Sequence, residues 1–147
     1  MNRAGVVHTL HTYVYDPSAD RVALQAALAL GEHPHRVLKT LMALVDNRPV
    51  CVVVPSDREV SMKALAALFG GKSARMAPPA DAERLTGYRV GGISPFGQKK
   101  PAPTVVEASA LGEDLVFVNG GQRGLQIRLA PADLVSALKA QTARIVA

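Results

Sequence analysis

Val37-Leu38-Lys39-Thr40-Leu41-Met42-Ala43-Leu44-Val45, the connector Asp46-Asn47-Arg48-Pro49 and the run Val50-Cys51-Val52-Val53-Val54-Pro55 decide the fold. Two apolar runs rich in β-branched residues, joined by a polar connector of hairpin length, predict a pair of central strands. Period-two alternation puts Val37, Lys39, Leu41, Ala43 and Val45 on one face and Leu38, Thr40, Met42 and Leu44 on the other.

Ahead of this pair, residues 6–14 are rich in Val, Thr and Tyr and stop at Asp16-Pro17, as a strand ending in a turn does. Val22, Leu24, Ala27 and Leu28 then recur at helical spacing, with Ser18 placed to cap the start and Gly31 the end, and Pro34 can open a short helical turn. Behind the pair, Met62, Leu65, Ala66 and Phe69 followed by Gly70-Gly71 predict a short amphipathic helix, and residues 79–86 closed by Gly87 predict another. Residues 87–103 break every regular period and should form a long structured loop. Strands are expected over residues 104–107, 114–118 and 125–129, the last two joined by residues 119–124, and a closing helix from Pro131 to about Ala140. The order lacks the regular alternation of a doubly wound sheet. It predicts an α+β, or mixed α/β, fold with a mixed, largely antiparallel sheet flanked by helices.

With 147 residues the chain has room for one core, and two would each be marginal, so residues 1–147 are read as a single domain. Hydrophobic content of 48% excludes a disordered chain. Three Tyr, three Phe and no Trp are too few for a base-stacking platform, which argues against a single-strand RNA-binding sheet. A net charge of +5 permits an RNA partner without the dense basic runs of dedicated nucleic-acid binders. The lone Cys51 can form no internal disulfide and lies in a strand with no activating base nearby, so it is read as core in a reducing, cytoplasmic protein. No stretch approaches the ~20 apolar residues of a membrane span.

Lys39 is the most informative residue. An unpaired ammonium on an apolar face must reach solvent, a carboxylate or a ligand, so it either snorkels at the strand end or serves a site. The segment Gly91-Gly92-Ile93-Ser94-Pro95-Phe96-Gly97 is either an ordinary turn-rich connection or a place where backbone N–H groups approach a carbonyl oxygen. It lacks the Gly-Lys-Ser/Thr ending of a phosphate-binding loop. Asn119-Gly120-Gly121 reads first as a hairpin turn. His8, His11, His33 and His35 match no zinc spacing, and no serine sits in a Gly-x-Ser-x-Gly elbow. An ester-cleaving enzyme built this way would take its reacting group from elsewhere. Lys99, Lys100, Arg123 and Arg128 flank the two loops, either as phosphate contacts or as a solvated rim.

Val37-Leu38-Lys39-Thr40-Leu41, the block from Thr86 through Gly91-Gly92-Ile93-Ser94-Pro95 to Gln98-Lys99-Lys100, and Gly120-Gly121-Gln122-Arg123-Gly124-Leu125 stand in this order along nearly the whole chain. On these residues the sequence resembles the YbaK/EbsC family, Cys-tRNA(Pro)/Cys-tRNA(Cys) deacylases related to the editing domain inserted in bacterial prolyl-tRNA synthetases. The resemblance implies a curved mixed sheet and no metal or cofactor. It implies aminoacyl-tRNA as partner, tRNA(Pro) first and tRNA(Cys) second, with prolyl-tRNA synthetase as a further partner. In cysteine-specific members the substrate's own thiol is thought to attack the ester, so no protein nucleophile is needed.

Carried over by motif, Lys39 and Gly91 would be catalytic, and Gly92, Ile93 and Ser94 would complete a backbone cradle for the carbonyl. Tyr13, Val22 and Thr40 would line the pocket. Asn119 stands where cysteine-specific relatives often have Ser, and Gln126 where they often have Asp, so a deacylase for another small amino acid such as Ala stays open. So does a non-catalytic binder of charged tRNA or of the synthetase. The chain enters at Arg3-Ala4-Gly5-Val6, just before the first strand, where many relatives have a preceding helix.

Overall fold

The computed structural model describes residues 7–13 and 22–147, with residues 22–24 given by backbone alone. The expected turn at Asp16-Pro17, the cap at Ser18 and the side chain of Val22 lie outside the described residues. Among those residues the chain runs β1 (His8–Thr12), α1 (Val22–Leu30), a 3-10 turn (Pro34–Arg36), β2 (Leu38–Val45), β3 (Arg48–Pro55), α2 (Met62–Leu68), β4 (Ala74–Met76) and α3 (Pro79–Thr86). It continues with β5 (Thr104–Glu107), a second 3-10 turn (Ala108–Gly112), β6 (Val116–Asn119), β7 (Leu125–Leu129), α4 (Pro131–Leu138) and β8 (Gln141–Ala143).

The central hairpin is tighter than the four-residue connector read from the sequence. Val45 pairs with Arg48, leaving only Asp46 and Asn47 in the turn, both at positive φ (48° and 68°). That is the two-residue turn whose twist matches the flanking strands, and Asp and Asn are among the few residues that tolerate it. Arg48 and Pro49 therefore belong to β3. The pair next to such a turn carries both cross-strand bonds, so Pro49, opposite Leu44, has its ring nitrogen turned away from β2. On that outer side β5 begins only at Cys51, so the missing N–H breaks no ladder bond.

Five strands form a mixed sheet in the order β4-β2-β3-β5-β8, and three form an antiparallel sheet in the order β1-β7-β6. A parallel bridge between Val37 and Phe117 links them. One edge of β2 thus serves two neighbours: β6 beside its start, and β4 along Ala43–Val45. The mixed, largely antiparallel arrangement expected from sequence is present, divided where β2 changes partner. The three-residue strands β4 and β8 carry too little periodicity to be read from sequence.

The alternation in β2 is realised on both faces. Leu38 and Met42 join Cys51, Val53, Val118, Ile127, Leu134, Ile93 and Phe96 in the main core. On the opposite face Ala43, Val45, Val52 and Val54 pack with Leu65 of α2 and Ile145, while Val37 and Phe117 pack with Ala26 and Ala27 of α1. Lys39 follows Val37 on that face. It lies between the ground covered by α1 and the ground covered by α2.

Candidate active site

The sheet register arranges a row of polar side chains across four strands. From the Val37–Phe117 bridge, Lys39 and Asn119 each stand two residues further along parallel chain segments, on the face that carries Val37 and Phe117. Asn119 pairs with Gln126 in β7, and Gln126 pairs with His11 in β1. Cross-strand partners share a face, so Asn119, Gln126 and His11 form one row at roughly one strand spacing of ~5 Å, and Lys39 extends it on the same face of the neighbouring segment, two residues beyond the single bridge to β6. Tyr13, two residues beyond His11, has its main-chain N–H bonded to the Gly124 carbonyl at 2.9 Å.

Lys39 is 18% exposed, and its Nζ lies 3.6 Å from Oε1 of Glu59, whose own side chain is 72% exposed. The ammonium therefore has a solvated counter-charge at one side, the arrangement expected of a lysine that snorkels from an apolar face. Glu59 carried no sequence signal, because its pairing depends on how the segment after β3 returns over the sheet. His11 has no signal in the sequence beyond failing a zinc spacing. It stacks edge-on against Phe117 at 5.4 Å and shares a 2.8 Å hydrogen bond with the Thr9 hydroxyl.

The glycine segment is fastened to the far end of β6. Gly92 N–H donates to the Arg89 carbonyl at 2.8 Å, closing a four-residue turn with Gly91 third at φ +92°. A positive φ there is the mark of a type II turn and requires glycine. Gly92 answers a different demand: a Cβ on it would lie 2.9 Å from the Arg123 nitrogen and 3.0 Å from the Gln122 carbonyl carbon. Only a residue without a side chain lets these two loops touch. Because its N–H closes the turn, Gly92 serves the segment through this close approach.

Asn119 ties the loops together, its Nδ2 donating to the Gly91 carbonyl at 3.2 Å and its Oδ1 accepting from Gly121 N–H at 2.7 Å. Glu83 and Arg123 hold the neighbouring residue: Val90 N–H donates to Glu83 Oε2 at 2.9 Å, and Arg123 Nε and Nη2 donate to the Val90 carbonyl at 3.0 and 2.8 Å. Ile93 and Phe96 are buried in the main core, and the Ser94 hydroxyl accepts from Phe96 N–H at 3.1 Å. The side chains of Ile93 and Ser94 thus anchor the segment.

Not every expected residue joins this row. Thr40 pairs with Val53 and belongs to the opposite face, in the main core, where its hydroxyl is buried without a hydrogen-bond partner among the described residues. Gln126 is on the Lys39 face, 3% exposed, and its Oε1 is likewise buried and unpartnered. A buried acceptor left unsatisfied costs about 1–3 kcal/mol, so a donor from a ligand or an ordered water suits that position. Lys99 and Lys100 have exposed side chains, while their N–H groups bond to the Thr86 and Leu85 carbonyls and cap α3. Cys51 is fully buried and burial pushes its thiol up to about 11, so it stays a neutral core group. Among the described residues no three His, Cys, Asp or Glu side chains stand together as a metal site would need.

Comparisons with known proteins bear on this geometry. Residues 16–137 match the family described as the aminoacyl-tRNA editing domain. The chain is 36% identical over 135 residues to the Enterococcus faecalis protein EbsC, put forward as a Cys-tRNA(Pro)/Cys-tRNA(Cys) deacylase, across 90% of this chain and 82% of that one. It is 37% identical over 70 residues to the proline–tRNA ligase of Maridesulfovibrio salexigens, across 48% of this chain and 12% of the ligase. The crystal structure of a protein put forward as a trans-editing enzyme for prolyl tRNA synthetase matches with a TM-score of 0.83 at 26% identity, across 95% of this chain and 87% of that one. The resemblance carried by the lysine strand and the glycine segment is thereby established, and the chain belongs to the aminoacyl-tRNA editing domain family, which acts on aminoacyl-tRNA as a deacylase.

Proposed function

We propose that residues 1–147 form one editing unit that clears cysteine wrongly attached to tRNA(Pro), and secondarily Cys-tRNA(Cys), in the cytoplasm. The observation that carries this reading is the placing of Lys39: a cation on an apolar face, level with the residue that holds the Gly91 carbonyl. Lys39 orients the aminoacyl end and supplies positive charge beside it. The Gly91 N–H is the donor to the ester carbonyl and to the oxyanion that develops from it. The unpartnered Gln126 acceptor suits the α-ammonium of the aminoacyl group, a charge-assisted hydrogen bond that needs no carboxylate.

On this reading the protein positions groups and the substrate supplies the nucleophile. The cysteine sulfur bonds to the ester carbonyl carbon, the C–O bond to the ribose breaks, the thiol proton ends on the ribose hydroxyl, and a cyclic thiolactone leaves. Holding thiol and carbonyl in attacking geometry is the main contribution such a site can make. The relatedness to EbsC and to a segment of proline–tRNA ligase supports the choice of amino acid and tRNA, and supports prolyl-tRNA synthetase as the partner whose errors are cleared.

The test is deacylation of Cys, Ala and Ser esters on tRNA(Pro) and tRNA(Cys), with product analysis. The expected outcome is a shortened lifetime for the Cys esters, release of thiolactone, and loss of activity in a folded Lys39→Ala variant. Equal cleavage of the Ala ester would replace the thiol route by hydrolysis. Binding of charged tRNA with every ester lifetime unchanged would make the chain a binder.

A further inference from the structure

The Val90–Gly91 peptide is gripped from one side. Its carbonyl oxygen accepts two hydrogen bonds from the Arg123 guanidinium, at 3.0 and 2.8 Å, and it is the central peptide of the turn closed by Gly92. A trans peptide is planar, so its N–H points opposite to its C=O. Whatever fixes the Val90 carbonyl therefore fixes the direction of the Gly91 N–H. Type I and type II turns differ by rotation of this same central peptide, so without an external hold it has an alternative orientation that reverses the N–H. The outer peptides of the turn are pinned separately, by Glu83 at the Val90 N–H and by Asn119 at the Gly91 carbonyl, and neither bond touches the central plane.

We propose that Arg123 is a positioning residue that locks the Val90–Gly91 peptide in the orientation aiming the Gly91 N–H outward from the turn, and that its charge strengthens that N–H as a donor. This rests on the deacylase reading, in which Gly91 N–H meets the ester carbonyl. It assigns Arg123 a different task from the phosphate contact expected from sequence. A guanidinium suits it because its fork delivers two parallel N–H groups in fixed geometry, which an ammonium cannot do. Polarising the carbonyl from one end raises the donor strength at the other, as in hydrogen-bond chains generally.

The two tasks separate in Arg123→Lys, which keeps the charge and loses the fork. Positioning predicts a kcat for Cys-tRNA(Pro) lower by on the order of tenfold to a hundredfold, since loss of one oxyanion donor costs about a hundredfold or more. KM and its salt dependence should stay near wild type, and the same kcat loss should appear with a short aminoacylated acceptor stem. A phosphate contact predicts the reverse: Arg123→Lys near wild type, and Arg123→Gln with raised KM and a salt slope smaller by about one unit. That pattern overturns the proposal. The 1H–15N residual dipolar coupling of Gly91 in the free protein reports the direction of that N–H without turnover: a changed or averaged coupling in Arg123→Lys supports the lock, and an unchanged coupling overturns it. If the wild-type protein cleaves no ester, the deacylase reading fails, and the coupling alone decides whether Arg123 holds the peptide.

Discussion

Glu107 shows how a single residue can matter away from the site. Its side chain is 1% exposed, yet it remains a carboxylate: Oε2 accepts from Ser109 N–H and Oε1 from Ile145 N–H, each at 2.8 Å. Burial pushes its pKa up, but the hydrogen bonds from Ser109, Ile145 and Val146 outweigh that and hold it below the ordinary value. A folded pKa below the unfolded one adds stability that is present above the unfolded value, ~4.3, and is lost as pH falls through the folded value. Glu107→Gln places an NH2 against a donor. It should cost about 1.5–3 kcal/mol at neutral pH, the scale of a hydrogen bond to a charged group, and the gap from wild type should close in acid. Urea denaturation of both proteins at pH 7 and pH 3 would measure this, and a gap that widens in acid would contradict it. Nothing in the sequence marks Glu107 as buried: Ser109 is a local donor that any capping carboxylate could find, whereas Ile145 and Val146 are brought back to it by the fold. Lys39 was legible for the opposite reason: a cation interrupting an apolar alternation is visible without knowing its surroundings.

Among the elements, the contact between the glycine segment and the β6–β7 loop decides the geometry of the site. The glycines were legible, but not the division of labour between them. Positive φ at Gly91 is a local demand that turn chemistry reveals, whereas the close approach at Gly92 depends on a loop some thirty residues away. Gly92→Ala would drive a methyl into the backbone at Gln122 and Arg123, so the loops must part. We expect a stability loss of about 1–3 kcal/mol, as for other overpacked sites, and a larger proportional loss of kcat. Thermal unfolding beside the deacylation assay separates the two effects, and unchanged kcat would show that the loop spacing is immaterial. The hairpin tip was half legible: Asp46-Asn47 announced a turn, while the place of Pro49 in β3 depends on β5 starting only at Cys51.

For the whole molecule, the +5 charge read from the sequence agrees with a family that acts on charged tRNA, although the basic groups are unevenly engaged. Lys99 and Lys100 have exposed side chains on a backbone fixed to the end of α3, whereas Arg123 is occupied at Val90. Replacing both lysines by Gln should raise KM for charged tRNA and flatten its dependence on salt by about 1.4–1.8 units, following release of counterions from two phosphates. An unchanged slope would remove them from the RNA surface. The overall plan was legible through the central hairpin, but the division into two sheets was not, because it depends on one edge of β2 changing partner along its length. The parallel pairing of β8 with β5 bears on synthesis. The Ile145 N–H that Glu107 needs lies 38 residues downstream, so as the chain leaves the ribosome this carboxylate waits without it. The sheet that carries the lysine can close only after translation has passed β8 at residues 141–143, so the outer edge of β5 stays unpaired until then.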